Sequence, residues 1–200
     1  ALPILLERFI YYFNYKIYNK LKYFILTYLV IFIVVSLARF LQTLSFFPDQ
    51  FDLKFLIPIP ISSMIISLLV TPNISLLCGT IISILIAVMF KGDFTLFFFL
   101  FFSNAVTAFS TYKRYERNQI IESGYLVGLF NILFILSIGL FKEINDILWF
   151  GSNMLLGLVN GIISAMISLA ILPYFENIFK ITTNQTLLEL SNLKIGRAHV

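Results

Sequence analysis

The sequence predicts an all-α fold, a polytopic transmembrane helix bundle with six full spans and one truncated span. Three observations predict it. Of 200 residues, 60% are hydrophobic and 12% charged, and the mean hydropathy is +0.95. Soluble domains run at about 45–50% apolar and about 25% charged. A soluble fold with so little polar surface would be coated in apolar side chains and would aggregate. The apolar residues also fall into stretches close to the roughly 20 residues that carry a helix across a bilayer, with short connections between them. A soluble enzyme, a disordered tail and a disulfide scaffold are excluded, the last because Cys78 is the single cysteine.

The elements follow in chain order. Residues 4–13 read as the tail of a truncated span, with an interfacial helix as the alternative because Glu7 and Arg8 interrupt the apolar run. Full spans are predicted at about 24–44, 55–70, 74–90, 94–111, 124–141 and 148–174. Pro58 and Pro60 lie near the start of the second. Thr71-Pro72-Asn73 reads as a turn, with Asn73 able to cap the third span; in Lys91-Gly92-Asp93, Asp93 is placed to cap the fourth. Short connections make neighbouring helices antiparallel. Residues 1–175 form one membrane domain, followed by a polar linker over 176–193.

The net charge of +4 and pI near 9.2 reflect loop topology. No basic stripe interleaves with stacking aromatics in a soluble segment, so nucleic acid is not an expected partner. Lys16, Lys20, Lys22, Lys113, Arg114 and Arg117 occupy the loops on one side, and Lys54, Lys91 and Lys142 face five acids on the other. The positive-inside bias places the first set, and the C-terminus, in the cytoplasm.

Polar residues within the spans are the candidate functional groups. Arg39, near the outer end of the first span, is expected to snorkel to the headgroups or to pair with Asp49 or Asp52. Gly157, Gly161 and Ala165 recur every four residues in the sixth span, with Ser164 and Ser168 adjacent, a spacing that lets another helix backbone approach. Asn104, Asn131 and Asn160 are expected to hydrogen-bond between helices, with ligand or ion contact as the alternative. Trp149 fits an interface anchor. Catalytic and metal-binding constellations are not found in this stretch of chain, and its single histidine is His199.

The last third carries a resemblance. Gly151-Ser-Asn-Met-Leu-Leu-Gly-Leu-Val-Asn-Gly161 leads to Ile171-Leu-Pro-Tyr-Phe-Glu-Asn-Ile-Phe179 and then Lys180-Ile-Thr-Thr-Asn-Gln-Thr-Leu-Leu-Glu-Leu-Ser-Asn192. This resembles the junction in bacterial seven-transmembrane receptors with an intracellular HD hydrolase. There a final helix ends in Leu-Pro-x-hydrophobic-Glu, and a Thr-Thr-x-x-x-Leu-Leu-Glu-Leu-Ser-Asn strip enters the catalytic domain. The resemblance implies a membrane anchor and sensory, signal-transmitting region of a cyclic di-AMP phosphodiesterase in the bacterial plasma membrane. It implies an extracellular domain before the spans and an HD domain after them, holding a divalent metal pair (Mn or Fe) through His and Asp. No catalytic or metal-ligating residue carries over to this stretch. Pro173 is expected to end or kink the last helix at the membrane surface, and Glu176 follows it. Thr182 or Thr183 would cap a short helix through Leu190, with Thr186 and Glu189 at capping-box spacing. The expected partners are the lipid bilayer, the protein's own extracellular and HD domains, and a second copy in a homodimer.

Residues 194–200, Lys-Ile-Gly-Arg-Ala-His-Val, match the translation of a common sequencing adapter. They are expected to be an artefact at the end of a piece of a longer chain, which would discount His199; a genuine polar terminus is the alternative. A small multipass transporter, or its substrate-binding subunit, is the alternative function, and a membrane-embedded assembly protein a third. Downstream sequence separates them: the receptor requires a His-Asp pair in a soluble domain soon after Asn192, which a transporter would lack.

Overall fold

The computed structural model describes residues 21–43, 51–112, 114 and 116–179. The predicted partial span at 4–13, the stretch 180–200 and the residues Asp49, Thr182, Thr183 and Glu189 lie outside them. The described residues form six α-helices and one 3-10 turn: α1 Leu21–Thr43, the turn Leu53–Leu56, α2 Ile59–Leu69, α3 Pro72–Met89, α4 Phe94–Ser110, α5 Arg117–Phe141 and α6 Ile147–Phe179. Four of the helices, α1, α3, α5 and α6, are long and apolar enough to cross a membrane.

Helix α1 shows how the bundle divides core from lipid. Leu26, Val30, Val34 and Ala38, spaced by four, are buried, while Ile25, Phe32 and Phe40 face outward. An apolar stripe at that spacing covers one helix face. The outward face is just as apolar, as expected where the solvent is hydrocarbon rather than water.

Helix α2 departs from the predicted span of 55–70. It has 11 residues, about 16 Å of helix, against a hydrocarbon core of about 30 Å. Pro58 is its N-cap and Pro60 lies in its first turn. Neither has the N–H that a helix running on from Leu53 would need. Every residue of α2 except Leu68 is buried, with α3, α4 and α6 packed around it.

Of the two caps expected from the sequence, Asp93 is found and Asn73 is not. Asp93 Oδ1 accepts the Leu96 amide at 3.1 Å and caps α4. At the start of α3 the cap is Thr71, whose Oγ1 accepts from Ile74 N at 3.4 Å; Asn73 is already inside the helix. Pro72 explains the shift, since its fixed φ and missing N–H suit the first helical position and move the cap one residue earlier. Helix α5 starts at Arg117, ahead of the predicted 124, where Gln119 Oε1 accepts the Glu116 amide at 3.4 Å in the manner of a capping box.

Helix α6 does not end at Pro173. It runs 33 residues to Phe179 with Pro173 inside and exposed, overlapping the first residues of the predicted linker. Past the proline, Phe175 and Phe179 are buried with Leu172 in a cluster shared with Leu26 and Val30 of α1 and with Ile61, Ile65, Ile66 and Leu69 of α2. That burial offsets the one hydrogen bond the proline removes.

Helix α5 ends on Glu143 in the left-handed region (φ 54°), where Ile144 N donates to Gly139 O at 3.0 Å. Only glycine adopts this conformation without steric cost, and the cost for other residues is about 1–2 kcal/mol. Glu143→Gly is therefore expected to stabilise the protein by about 0.5–1 kcal/mol, read as a higher unfolding temperature in detergent; an unchanged or lower temperature contradicts this reading of the turn.

Candidate functional site

The polar groups inside the bundle gather where the chain is broken ahead of α2. In an unbroken helix, Ile59 N would donate to Phe55 O, and Ile61 N to Ile57 O. Here Ile59 N donates to Ile57 O at 2.8 Å and Ile61 N to Pro58 O at 3.2 Å. The Asn160 amide takes the place of the lost helix donors: Nδ2 gives one bond to Phe55 O at 2.9 Å and one to Ile57 O at 3.1 Å. Ser164 Oγ donates to Asn160 Oδ1 at 3.2 Å, which fixes the amide from one turn further along α6.

About two turns before Asn160 on the same helix, Asn153 Oδ1 accepts the Asp52 amide at 2.9 Å. Asn153 is buried and donates from Nδ2 to Trp149 O at 2.8 Å. The Phe55 ring pins the segment laterally, edge-on to Phe99 of α4 at 5.1 Å and to Trp149 of α6 at 6.3 Å. The non-helical stretch is thus seated on α6 by three hydrogen bonds and by one buried ring.

At the end of the bundle this stretch meets an ion cluster. Lys54 Nζ lies 2.6 Å from Asp52 Oδ2 and 3.4 Å from Asp93 Oδ2. Burial opposes the charge on Lys54, but the two carboxylates outweigh it and hold its pKa above the ordinary lysine value. Burial likewise opposes ionisation of Asp93; the Leu96 amide and the Lys54 and Lys142 charges outweigh it and lower the pKa. Lys54 and Asp93 therefore both stay charged at neutral pH. A cavity of about 180 Å³ opens beside the cluster, lined by Leu41, Gln42, Phe51, Asp52, Leu53, Lys54 and Phe90.

Arg39 is exposed on α1 and donates to Gln42 Oε1 at 2.6 Å, while Gln42 Nε2 reaches Met89 O on α3 at 3.2 Å. Asp52, one of its two expected carboxylate partners, is engaged with Lys54. The other, Asp49, lies outside the described residues.

A second polar group joins α2 to α3 and α4. Ser63 Oγ bonds Asn104 Oδ1, Asn104 Nδ2 donates to Leu76 O at 3.2 Å, and Ser75 Oγ donates to Ser63 O at 2.8 Å. The Asn104 amide occupies the space that a side chain at Gly79 would need. Ser67 Oγ donates to Ala108 O at 2.8 Å.

The small residues of α6 lie against α5. A Cβ on Gly161 would sit 2.5 Å from Gly124 O and from Gly128 N, and one on Gly124 would sit 2.5 Å from the Ala165 Cβ. Gly157 faces Ile135 and Asn131. Asn131 Nδ2 donates to Gly157 O at 3.1 Å, whereas Asn131 Oδ1 and Ser168 Oγ are buried without a hydrogen-bond partner among the described residues. Gly124, Gly128 and Asn153 are the positions the sequence reading passed over. The Gly-x-x-x-Gly spacing at 124–128 was the available signal for the first two; Asn153 had none beyond being an amide near a span end. Glu176 is half-buried on the last turn of α6. Among the described residues no group of three or more His, Cys, Asp or Glu is placed to hold a metal.

Two outcomes follow. A buried acceptor stripped of its donor costs about 1–3 kcal/mol, so Asn160→Leu, which strips Phe55 O and leaves Ile57 O with Ile59 N alone, is expected to destabilise by about 2–3 kcal/mol. Asn131→Leu, at a site whose oxygen already lacks a partner, should stay within about 1 kcal/mol. Denaturation in mixed micelles separates them, and equal losses would contradict the assignment. Gly161→Ala, which meets backbone atoms, is expected to lower the unfolding temperature, while Gly151→Ala, which meets nothing within 4 Å, should raise it through helix propensity. A tolerated Gly161→Ala would contradict the close approach of α5 and α6.

Comparison with known proteins places this architecture. Residues 2–183 match the family described as 7TM receptor with intracellular HD hydrolase. The chain is 29% identical over 148 residues to the cyclic-di-AMP phosphodiesterase PgpH of Bacillus subtilis (strain 168), a match covering 70% of this chain and 21% of that protein. It is 28% identical over 171 residues to the cyclic-di-AMP phosphodiesterase PgpH of Listeria monocytogenes serotype 1/2a (strain 10403S), covering 82% of this chain and 23% of that one. The chain spans less than a quarter of the length of these curated relatives. No solved structure matches it. With nearly its whole length matched, the chain belongs to the family of 7TM receptors with an intracellular HD hydrolase.

Proposed function

We propose that this chain is the membrane region of an HD-type cyclic di-AMP phosphodiesterase, serving as its anchor and as the relay between a stimulus and the hydrolase domain. The observation that carries the reading is the family match over residues 2–183, which favours it over a transporter. The two relatives, each named a cyclic-di-AMP phosphodiesterase, supply the substrate class. Helix α6 supports the relay: it is one continuous 33-residue helix that touches the broken segment near one end and carries Phe175 and Phe179 at the other.

In this reading the bundle has six full spans, the proline-broken second counted as one, and a truncated span at 4–13. Residues 176–193 lead to the HD domain, and 194–200 are adapter sequence. The protein sits in the bacterial plasma membrane with the C-terminal end of α6 cytoplasmic. What supports this side is the count of basic residues in the sequence, six (Lys16, Lys20, Lys22, Lys113, Arg114 and Arg117) in the loops assigned to the cytoplasm against Lys54, Lys91 and Lys142 in the opposite ones. Gly157, Gly161, Ser164, Ala165 and Ser168 form the packing face of α6, and Pro173, Glu176, Thr182, Thr183 and Glu189 the junction through which its position reaches the hydrolase. The partners are the bilayer, the extracellular and HD domains of the same protein, and a second copy in a homodimer. A divalent metal pair, Mn or Fe, bound by the HD domain would activate water for attack on phosphorus.

The test is hydrolysis by the full-length protein in lipid nanodiscs. Cyclic di-AMP is expected to be cleaved, with activity abolished by a chelator and restored by Mn²⁺ or Fe²⁺. Failure to cleave it with either metal overturns the reading.

A further inference from the structure

The stretch from Phe51 to Pro58 is held at two places. Lys54 ties it to Asp93, the cap of α4, at 3.4 Å. Asn153 and Asn160 tie it to α6 through the Asp52 amide and the Phe55 and Ile57 carbonyls. Both N–H groups of the Asn160 amide are committed to this stretch, and the site is buried. One planar amide makes both bonds, so withdrawing the stretch from α6 breaks both, leaving Ile57 O with Ile59 N and Phe55 O bare. A joint of that kind has discrete positions rather than a continuum. The Asp52, Lys54 and Asp93 side chains, which close the other end of the stretch, remain 18–32% exposed and within reach of a ligand or of another domain.

We propose that residues 51–58 are the input element of the receptor and that Asn160 is the joint through which their position sets that of α6. Docked, the stretch holds α6 against α2. A pull on the Asp52–Lys54–Asp93 cluster withdraws the Phe55 and Ile57 carbonyls from Asn160, lets α6 shift, and changes the rate of the hydrolase. Asn160 is a positioning residue: it touches no substrate. The coupling to hydrolysis rests on the relay reading above; the movement of α6 does not.

The experiment uses the full-length protein in nanodiscs in a Cys78→Ala background, with spin labels on Tyr112→Cys and Tyr174→Cys, both exposed at the far end of the bundle. Asn160→Asp keeps the shape of the side chain but puts at most the one O–H donor of a protonated acid where two N–H donors stood. It is expected to move the inter-label distance by about 1–2 Å and to change the cyclic di-AMP hydrolysis rate about fivefold or more. Asn153→Leu, the milder variant should Asn160→Asp fail to fold, is expected to shift both in the same direction by less. Ser67→Ala breaks a bond from α2 to α4 and serves as the stability control, expected to move neither. A shifted distance with unchanged hydrolysis supports the joint and places the failure in the hydrolase reading. An unshifted distance in both asparagine variants, or an equal shift in Ser67→Ala, overturns the proposal.

Discussion

Inside hydrocarbon a backbone carbonyl has no water to turn to, so a chain that leaves the helical ladder there must bring its own donors. The rest of this fold is arranged around that constraint at one place, the interval between Leu53 and Ile59. Pro58 and Pro60 break the ladder, Ile59 N turns to Ile57 O and Ile61 N to Pro58 O, and Phe55 O is left with no backbone donor while Ile57 O loses its helical one. Asn160 answers both with one amide, and Ser164 fixes that amide in turn. Because this donor comes from α6, Phe55 O is satisfied only when α6 lies beside it. Local chain chemistry in one helix thereby dictates the position of another more than a hundred residues away.

The close contact of α5 and α6 serves the same arrangement. Gly124 and Gly128 meet Gly161 backbone to backbone, so that α6 is placed by main-chain contact rather than by adjustable side chains. Lipid gives no hydrophobic force between helices, and small residues allow dispersion and polar contacts to replace it. On the opposite side, Ser63, Ser75, Asn104 and Leu76 O connect α2 to α3 and α4. Helix α2, too short to span on its own, is held as a buried plug by partners on three sides. The packing around it explains how an 11-residue helix persists within a membrane bundle.

Much of the architecture is legible in the sequence because membrane helices announce themselves by composition. Asp93 is legible as a cap because a short acceptor stands immediately before an apolar run. Thr71 is not legible as one because Thr71-Pro72-Asn73 reads equally as a turn; proline at a first helical position is what points to the residue before it. The end of α6 is misplaced for a related reason: Pro173 announces a local break, whereas burial of Phe175 and Phe179 against α1 and α2 keeps the helix going. The same proline signal at Pro58 and Pro60 does mark a break, and nothing within ten residues tells the two cases apart. Asn104, Asn131 and Asn160 stand out as amides in apolar runs, but what each one bonds depends on which helix lies beside it. Gly124 and Gly128 carry a packing signal in their four-residue spacing, whereas Asn153 takes on meaning only once the broken stretch is laid against α6.

The most direct measurement is the infrared carbonyl frequency of Phe55 and Ile57, each labelled in turn with ¹³C=¹⁸O in the bilayer-embedded protein, with and without Asn160→Leu. Both carbonyls are predicted to absorb at the low frequency of a hydrogen-bonded amide and to shift upward when the asparagine is replaced, Phe55 by more because Ile57 O keeps the Ile59 amide. Frequencies that do not move with the substitution would contradict the account, because the break before α2 would then be satisfied by something other than α6.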